Sequence, residues 1–140
     1  MSENEARIVL KDETDIVAAR GAGREMARRL GFGSADQTRL ATAISELTRN
    51  VIQYAGEGVC VVRDESNGGR LRVEVTVEDH GPGIPDIGRA MEYGFSTGRG
   101  LGAGLPGAKR LVHEFDIESR PGYTRVTVAM NRPRMLGVAA

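Results

Sequence analysis

The run Leu71-Arg72-Val73-Glu74-Val75-Thr76-Val77-Glu78 alternates apolar and polar side chains without a break. A strict period of two commits it to a strand with one buried face and one wet face, as in an antiparallel sheet covered by helices on one side only. A second apolar run, residues 59–63, lies just upstream, and the turn-forming Asn67-Gly68-Gly69 between the two predicts a hairpin. Downstream the alternation stops at Asp79-His80-Gly81-Pro82-Gly83-Ile84-Pro85, a glycine turn opened by a carboxylate.

The remaining elements build around this hairpin. Arg7-Ile8-Val9-Leu10 reads as a short strand, and residues 14–30 as a helix stopped by Gly31 and weakened in its middle by Gly21 and Gly23. The next helix starts at Ser34, read as an N-cap with Gln37 completing a capping box. It carries the apolar stripe Leu40, Ile44, Leu47 and Val51, and ends near Ala55-Gly56. A short helical or irregular piece over 87–93 and a helix over 105–112, with Pro106 in its first turn, precede strands over 115–119 and 124–130. Residues beyond Met130 read as a frayed end. Neither a repeat nor a domain boundary is visible, so the expectation is one domain over residues 1–140. Its class is α/β (α+β): a two-layer sandwich with helices on one face of a mixed sheet.

Charge and cysteine usage narrow the function classes. Nineteen Lys and Arg balance nineteen Asp and Glu, which argues against a nucleic-acid partner, since such binders show a basic excess or stripe. Arg24, Arg28 and Arg29 form the one basic group, read as a solvated helix face first and a partner-docking patch second. The single cysteine, Cys60, stands among valines as a small hydrophobe and can form neither an internal disulfide nor a cysteine-based zinc site. His80 and His113, the two histidines, lack thiol partners and read as turn and helix-end residues. No apolar segment has signal-peptide or membrane-span length, so the expectation is a soluble, cytoplasmic protein with no membrane partner.

Three constellations carry chemistry. Glu46 and Asn50, four residues apart, project from one helix face beside Leu47 and Val51. A carboxylate there can take a proton from a hydroxyl, and an amide oxygen can complete the shell of a Mg²⁺ held by phosphates and water. The alternative is an exposed Glu46 paired with Arg49. Asp79, at the end of the alternating strand, can accept from an exocyclic amine while the glycine turn lets a flat base approach. The alternative is a plain turn aspartate. Six glycines from Gly94 to Gly107 let backbone N–H groups reach phosphate oxygens ahead of a helix N-terminus, where a linker would not explain the spaced Phe95, Leu101 and Leu105. A P-loop is excluded because no Gly-Lys-Ser/Thr follows. The Gly102-x-Gly104-x-x-Gly107 match to a dinucleotide fingerprint lacks its preceding strand.

Glu46-Leu47-Thr48-Arg49-Asn50, Asp79 through Pro85, and Gly94-Phe95-Ser96-Thr97 through Leu105 together resemble the three ATP-binding boxes of the GHKL superfamily. Within it, the wording over residues 31–130 looks like the RsbT-type serine kinases of bacterial stress signalling. That resemblance implies a Bergerat-type fold that uses ATP and Mg²⁺ to phosphorylate a serine or threonine of a STAS-domain partner. It also implies a switch in which the released kinase activates a downstream phosphatase or other output enzyme. By the same resemblance Glu46 is the general base, Asn50 the Mg²⁺ ligand and Asp79 the adenine reader. Gly81, Gly83 and Ile84 shape the base pocket. Thr97, Gly98, Gly100, Leu101, Gly102, Ala103, Gly104 and Leu105 line the phosphates under a lid, where Arg99 either touches a phosphate or stays solvated. Thr124 supports the adenine contact, although relatives often carry a second glycine where Tyr123 stands. The alternative function is a nucleotide-dependent binding protein of the anti-sigma-factor type.

Overall fold

The computed structural model describes residues 4–92 and 104–134. Five strands form one sheet: β1 (Glu5–Leu10), β2 (Gly58–Asp64), β3 (Arg70–Asp79), β4 (Glu114–Arg120) and β5 (Tyr123–Pro133), in the order β1-β2-β3-β5-β4. Four helices accompany them: α1 (Glu13–Arg29), α2 (Ser34–Tyr54), α3 (Ile87–Ala90) and α4 (Gly104–Leu111).

Every pairing is antiparallel, which corrects the expected mixed sheet. The reason lies in the last hairpin. The crossover through α3 and α4 brings β4 back parallel to β3, but β5 turns round at Pro121-Gly122 and inserts between them, so no parallel neighbours remain. The alternation of β3 is realised as read: Val73, Val75 and Val77 are buried, with Leu40, Ile44 and Leu47 of α2 in the same core.

Local signals moved by a residue or two. The N-cap of α2 is Gly33, not Ser34, and it makes no side-chain cap bond. Phe32 is buried and sets the entry of the chain, and Gln37 is drawn back to donate to the Phe32 carbonyl at 2.9 Å. A capping box does occur, on α1, where the Asp12 carboxylate accepts from Thr14 N–H and Asp15 reaches back to Asp12 N–H. Helix α1 runs unbroken through Gly21 and Gly23, and at Gly23 a Cβ would collide with Ile44, so the glycine lets α1 and α2 approach closely. The expected frayed end also fails: β5 pairs with β3 as far as Pro133 opposite Arg70. Asn131 anchors this extension, its amide donating to Glu114 at 2.6 Å and its N–H to His113 Nδ1 at 2.8 Å.

Cys60 is buried on β2, and loss of water around the thiol pushes its pKa up to about 12, which fits the small-hydrophobe reading. No helix among the described residues is long and apolar enough to cross a membrane.

Candidate functional site

A cavity of about 300 Å³ opens between α2, the turn after β3, the start of α4 and the start of β5. Its walls are apolar, with Leu47 and Val51 from α2 facing Val77 and Val126 from the sheet, Ile84 from the turn and Leu105 from α4. Asn50, Asp79 and Thr124 add polar groups at its edge. A mostly apolar hollow with a few convergent polar groups is what a planar, partly polar ligand needs.

Helix α2 supplies the chemistry on one side. Four successive residues, Ser45 to Thr48, are buried. The Ser45 and Thr48 hydroxyls fold back onto the Ala41 and Ile44 carbonyls at 3.1 and 2.7 Å. Glu46, a carboxylate that can only accept and so cannot fold back onto a carbonyl in this way, is nevertheless only 6% exposed. Its carboxylate faces the Arg49 guanidinium at 3.6 Å. The pairing considered from the sequence therefore exists, but with a buried carboxylate rather than an exposed one. Asn50 follows one turn later and lines the cavity, so the two groups share a face as their spacing requires.

The sheet supplies the other side through one cross-strand row. Asp79 pairs with Thr124, and Thr124 with Ser119, so the three residues stand abreast on β3, β5 and β4. Asp79 Oδ1 accepts from Gly81 N–H at 2.9 Å, and Oδ2 has no partner among the described residues. Gly81 packs on α2, where a Cβ would stand 2.6 Å from that of Ala55. Gly83 adopts φ +84° and lies against the Arg120 carbonyl, so an L side chain there meets both backbone strain and a clash. The tight turn sets Ile84 against the cavity, with its N–H bonded to Ser119 Oγ at 2.8 Å.

Behind the row, Tyr123 on the outer face donates to Glu78 at 2.5 Å, with the Arg120 guanidinium 4.4 Å above its ring. The bonded carboxylate raises the Tyr123 phenol pKa by disfavouring phenolate. His80 packs edge-on against the same ring at 5.6 Å, a turn residue as expected.

Asn50, Asp79, Gly83, Ile84, Gly104, Leu105 and Thr124 thus line one cavity, whereas Glu46 and Gly81 do not line it and are the chain neighbours of Leu47 and Pro82, which do. Thr97, Gly98, Arg99, Gly100, Leu101, Gly102 and Ala103 lie outside the described residues. Sequence reasoning missed Ser119, although a signal exists: it is the polar residue at an inward position after Phe115 and Ile117 on an alternating strand. Tyr54, at the end of α2, is a second missed lining residue.

Residues 35–134 match the family described as "Histidine kinase-, DNA gyrase B-, and HSP90-like ATPase". Over 110 residues the chain is 54% identical to the serine/threonine-protein kinase RsbT of Bacillus subtilis (strain 168), covering 79% of this chain and 83% of that one. Over 89 residues it is 32% identical to the anti-sigma F factor of Thermoanaerobacter sp. (strain X514), covering 59% of this chain and 61% of the relative. Among solved structures, the RsbU and RsbW domains of a Mycobacterium tuberculosis protein superpose with a TM-score of 0.61 at 20% identity, over 92% of this chain and 33% of the other, a likeness of fold. The chain therefore belongs to the histidine kinase-, DNA gyrase B- and HSP90-like ATPase family and, within it, to the RsbT-type serine/threonine kinases.

Proposed function

We propose that the chain is an ATP- and Mg²⁺-dependent protein kinase that phosphorylates a serine or threonine on a STAS-domain partner and, once released, activates a phosphatase or other output enzyme. The observation that carries this reading is the buried Glu46 one helical turn before Asn50, which lines a cavity together with Asp79 and Thr124.

The residues present fit a magnesium nucleotide. Among the described residues no group of three or more His, Cys, Asp or Glu could hold a metal by itself. Asn50 nevertheless offers a hard amide oxygen to a cation whose other ligands are phosphates and water. Bound MgATP would supply the phosphoryl group and neutralise charge on its oxygens, leaving the protein to position and orient. Asp79 Oδ2 accepts the exocyclic amine of the base, Leu47, Val51 and Ile84 cover its faces, and Thr124 completes the edge. The first turn of α4, from Gly104, presents backbone N–H groups without helical partners toward the phosphates, with residues 97–103 assigned to the same task. Glu46, paired with Arg49, takes the proton from the incoming hydroxyl as it attacks.

Incubation of the purified chain with labelled ATP, Mg²⁺ and STAS-domain proteins tests the reading. Transfer of label to a serine or threonine, abolished by Glu46→Gln, supports it. ATP-dependent capture of a sigma factor without any transfer would instead establish the anti-sigma alternative, which the resemblance to the Thermoanaerobacter protein favours.

A further inference from the structure

We infer that Tyr123 is a positioning residue for nucleotide binding. From the outer face of the sheet it latches the β4–β5 hairpin to the end of β3, and thereby holds the 79–85 turn in the shape that receives the base. The inference rests on the nucleotide reading above.

The hairpin needs a tie because of its own turn. Two residues, Pro121 and Gly122, join Arg120 to Tyr123, which pair in register. The two-residue turns that follow the twist of a sheet require φ > 0 at their first position, and a proline ring cannot adopt it. Here the positive φ, +88°, falls on Gly122 in the second position, which gives the kind of turn that splays the strands it joins. Tyr123 counters this from two sides. The Arg120 guanidinium lies 4.4 Å from the centre of its ring and bridges the two parting strand ends. Its phenol donates to the Glu78 carboxylate at 2.5 Å, a short charge-assisted bond that fixes the start of β5 to β3.

The turn after β3 rests on the hairpin tip so secured. Gly83 packs against the Arg120 carbonyl and the Pro121 Cα, Ile84 N–H donates to Ser119 Oγ at 2.8 Å, and His80 meets the Tyr123 ring edge-on. Asp79 and Ile84, which line the cavity, lie within the segment supported in this way. A displaced tip therefore displaces the cavity lip. The influence travels round the end of the sheet by way of the two turns and not through the strands. Only molecules with the turn in place are ready for the base, so loosening the latch lowers apparent affinity by the fraction that is lost. Glu46 and Asn50 stand on α2, which none of these contacts touches, and the transfer step itself keeps its rate.

Tyr123→Phe isolates the phenol bond, since the ring keeps its Arg120 and His80 contacts. In calorimetry on the full chain, affinity for MgATP should fall by roughly three- to tenfold, the worth of one hydrogen bond. Adenosine should lose the same factor, because the turn meets the base and not the phosphates. In phosphotransfer assays KM for ATP should rise by that factor with kcat unchanged. In the ligand-free variant the Ile84 amide should exchange with solvent faster by a similar factor, while the Val75 amide in the centre of β3 keeps its wild-type rate. Glu78→Ala removes the acceptor and carries the same expectation should Tyr123→Phe not fold, and the double variant should lose no more than either alone. Where wild type binds ATP, unchanged ATP affinity in both single variants overturns the inference alone. Faster exchange at Val75 as well as Ile84, or a fall in kcat at constant KM, overturns it in favour of a purely structural tyrosine. A wild type that binds neither adenosine nor ATP overturns the nucleotide reading, and the inference with it.

Discussion

The two faces of the sheet handle their polar groups in opposite ways. On the outer face charges answer one another: Arg63 lies between Glu5 and Glu74, Arg72 between Glu74 and Glu114, and Glu118 between Arg120 and Arg125. These pairs are mostly half-exposed, and each contributes little on its own. The helix-covered face is built from Val73, Val75, Val77, Val126 and Val128, and its few polar groups cluster at one end around the cavity. Among the described residues, Asp79 Oδ2 and the Asn50 side chain have no hydrogen-bond partner there, and Glu46 is buried. Paired charge marks the face turned to solvent, and polar groups beside apolar walls mark the face that carries the candidate site.

The sharpest way to break that contrast is to remove a functional group on the covered face without changing its shape. Glu46→Gln keeps volume and hydrogen-bonding reach but loses the basic oxygen. Phosphotransfer should fall by roughly the 10²–10⁴-fold typical of a general base, with ATP affinity retained. Transfer near the wild-type rate would reassign Glu46 to a structural pair with Arg49.

Asp79→Asn should come next in size. It places an amide donor where the base amine also donates. ATP affinity should drop by about 10- to 100-fold, the worth of a hydrogen bond to a charged group, with the fold intact. Calorimetry on the folded variant measures it, and unchanged affinity would remove Asp79 from the site.

How much of this was legible in the chain follows the same division. The alternation of β3, the stripe on α2 and the glycine turn after Asp79 gave the covered face and the cavity lip, because periodicity reports burial directly. Glu46 and Asn50 were placed together by helix spacing alone. The burial of Glu46 was not readable, since it depends on neighbours from other elements. Nor was the antiparallel order, because the insertion of β5 between β3 and β4 is a fact of topology that no local pattern encodes. Ser119 escaped because a lone serine near a strand end carries no chemistry until Thr124 and the Ile84 N–H are brought beside it.

Gly83→Ala probes the turn that joins the two faces. A side chain at φ +84° against the Arg120 carbonyl should cost about 1–3 kcal/mol of stability. It should also weaken ATP binding by moving Ile84. Thermal denaturation with and without ATP separates the effects, and a variant with unchanged melting would show that the turn relaxes freely.

The smallest effect is expected on the outer face, at the Arg72–Glu114 pair. Two guanidinium contacts, at 2.8 and 3.2 Å, and the Asn131 amide hold the Glu114 carboxyl near a pKa of about 2, against an ordinary 4.5. A carboxyl whose folded pKa lies below its unfolded value stabilises the fold above the unfolded value, and that stabilisation is lost as pH falls through the folded one. The window here runs from about pH 4.5 down to about pH 2. Because the Glu114 side chain is 42% exposed, solvent screens the pair and its share should be no more than about 1 kcal/mol. Glu114→Gln should therefore flatten the acid limb of a denaturation series slightly, lower stability at neutral pH by a similar small amount, and leave ATP affinity and phosphotransfer unchanged. A large loss of activity in this variant would mean that the outer face reaches the cavity through β5, and the division between the two faces would fail.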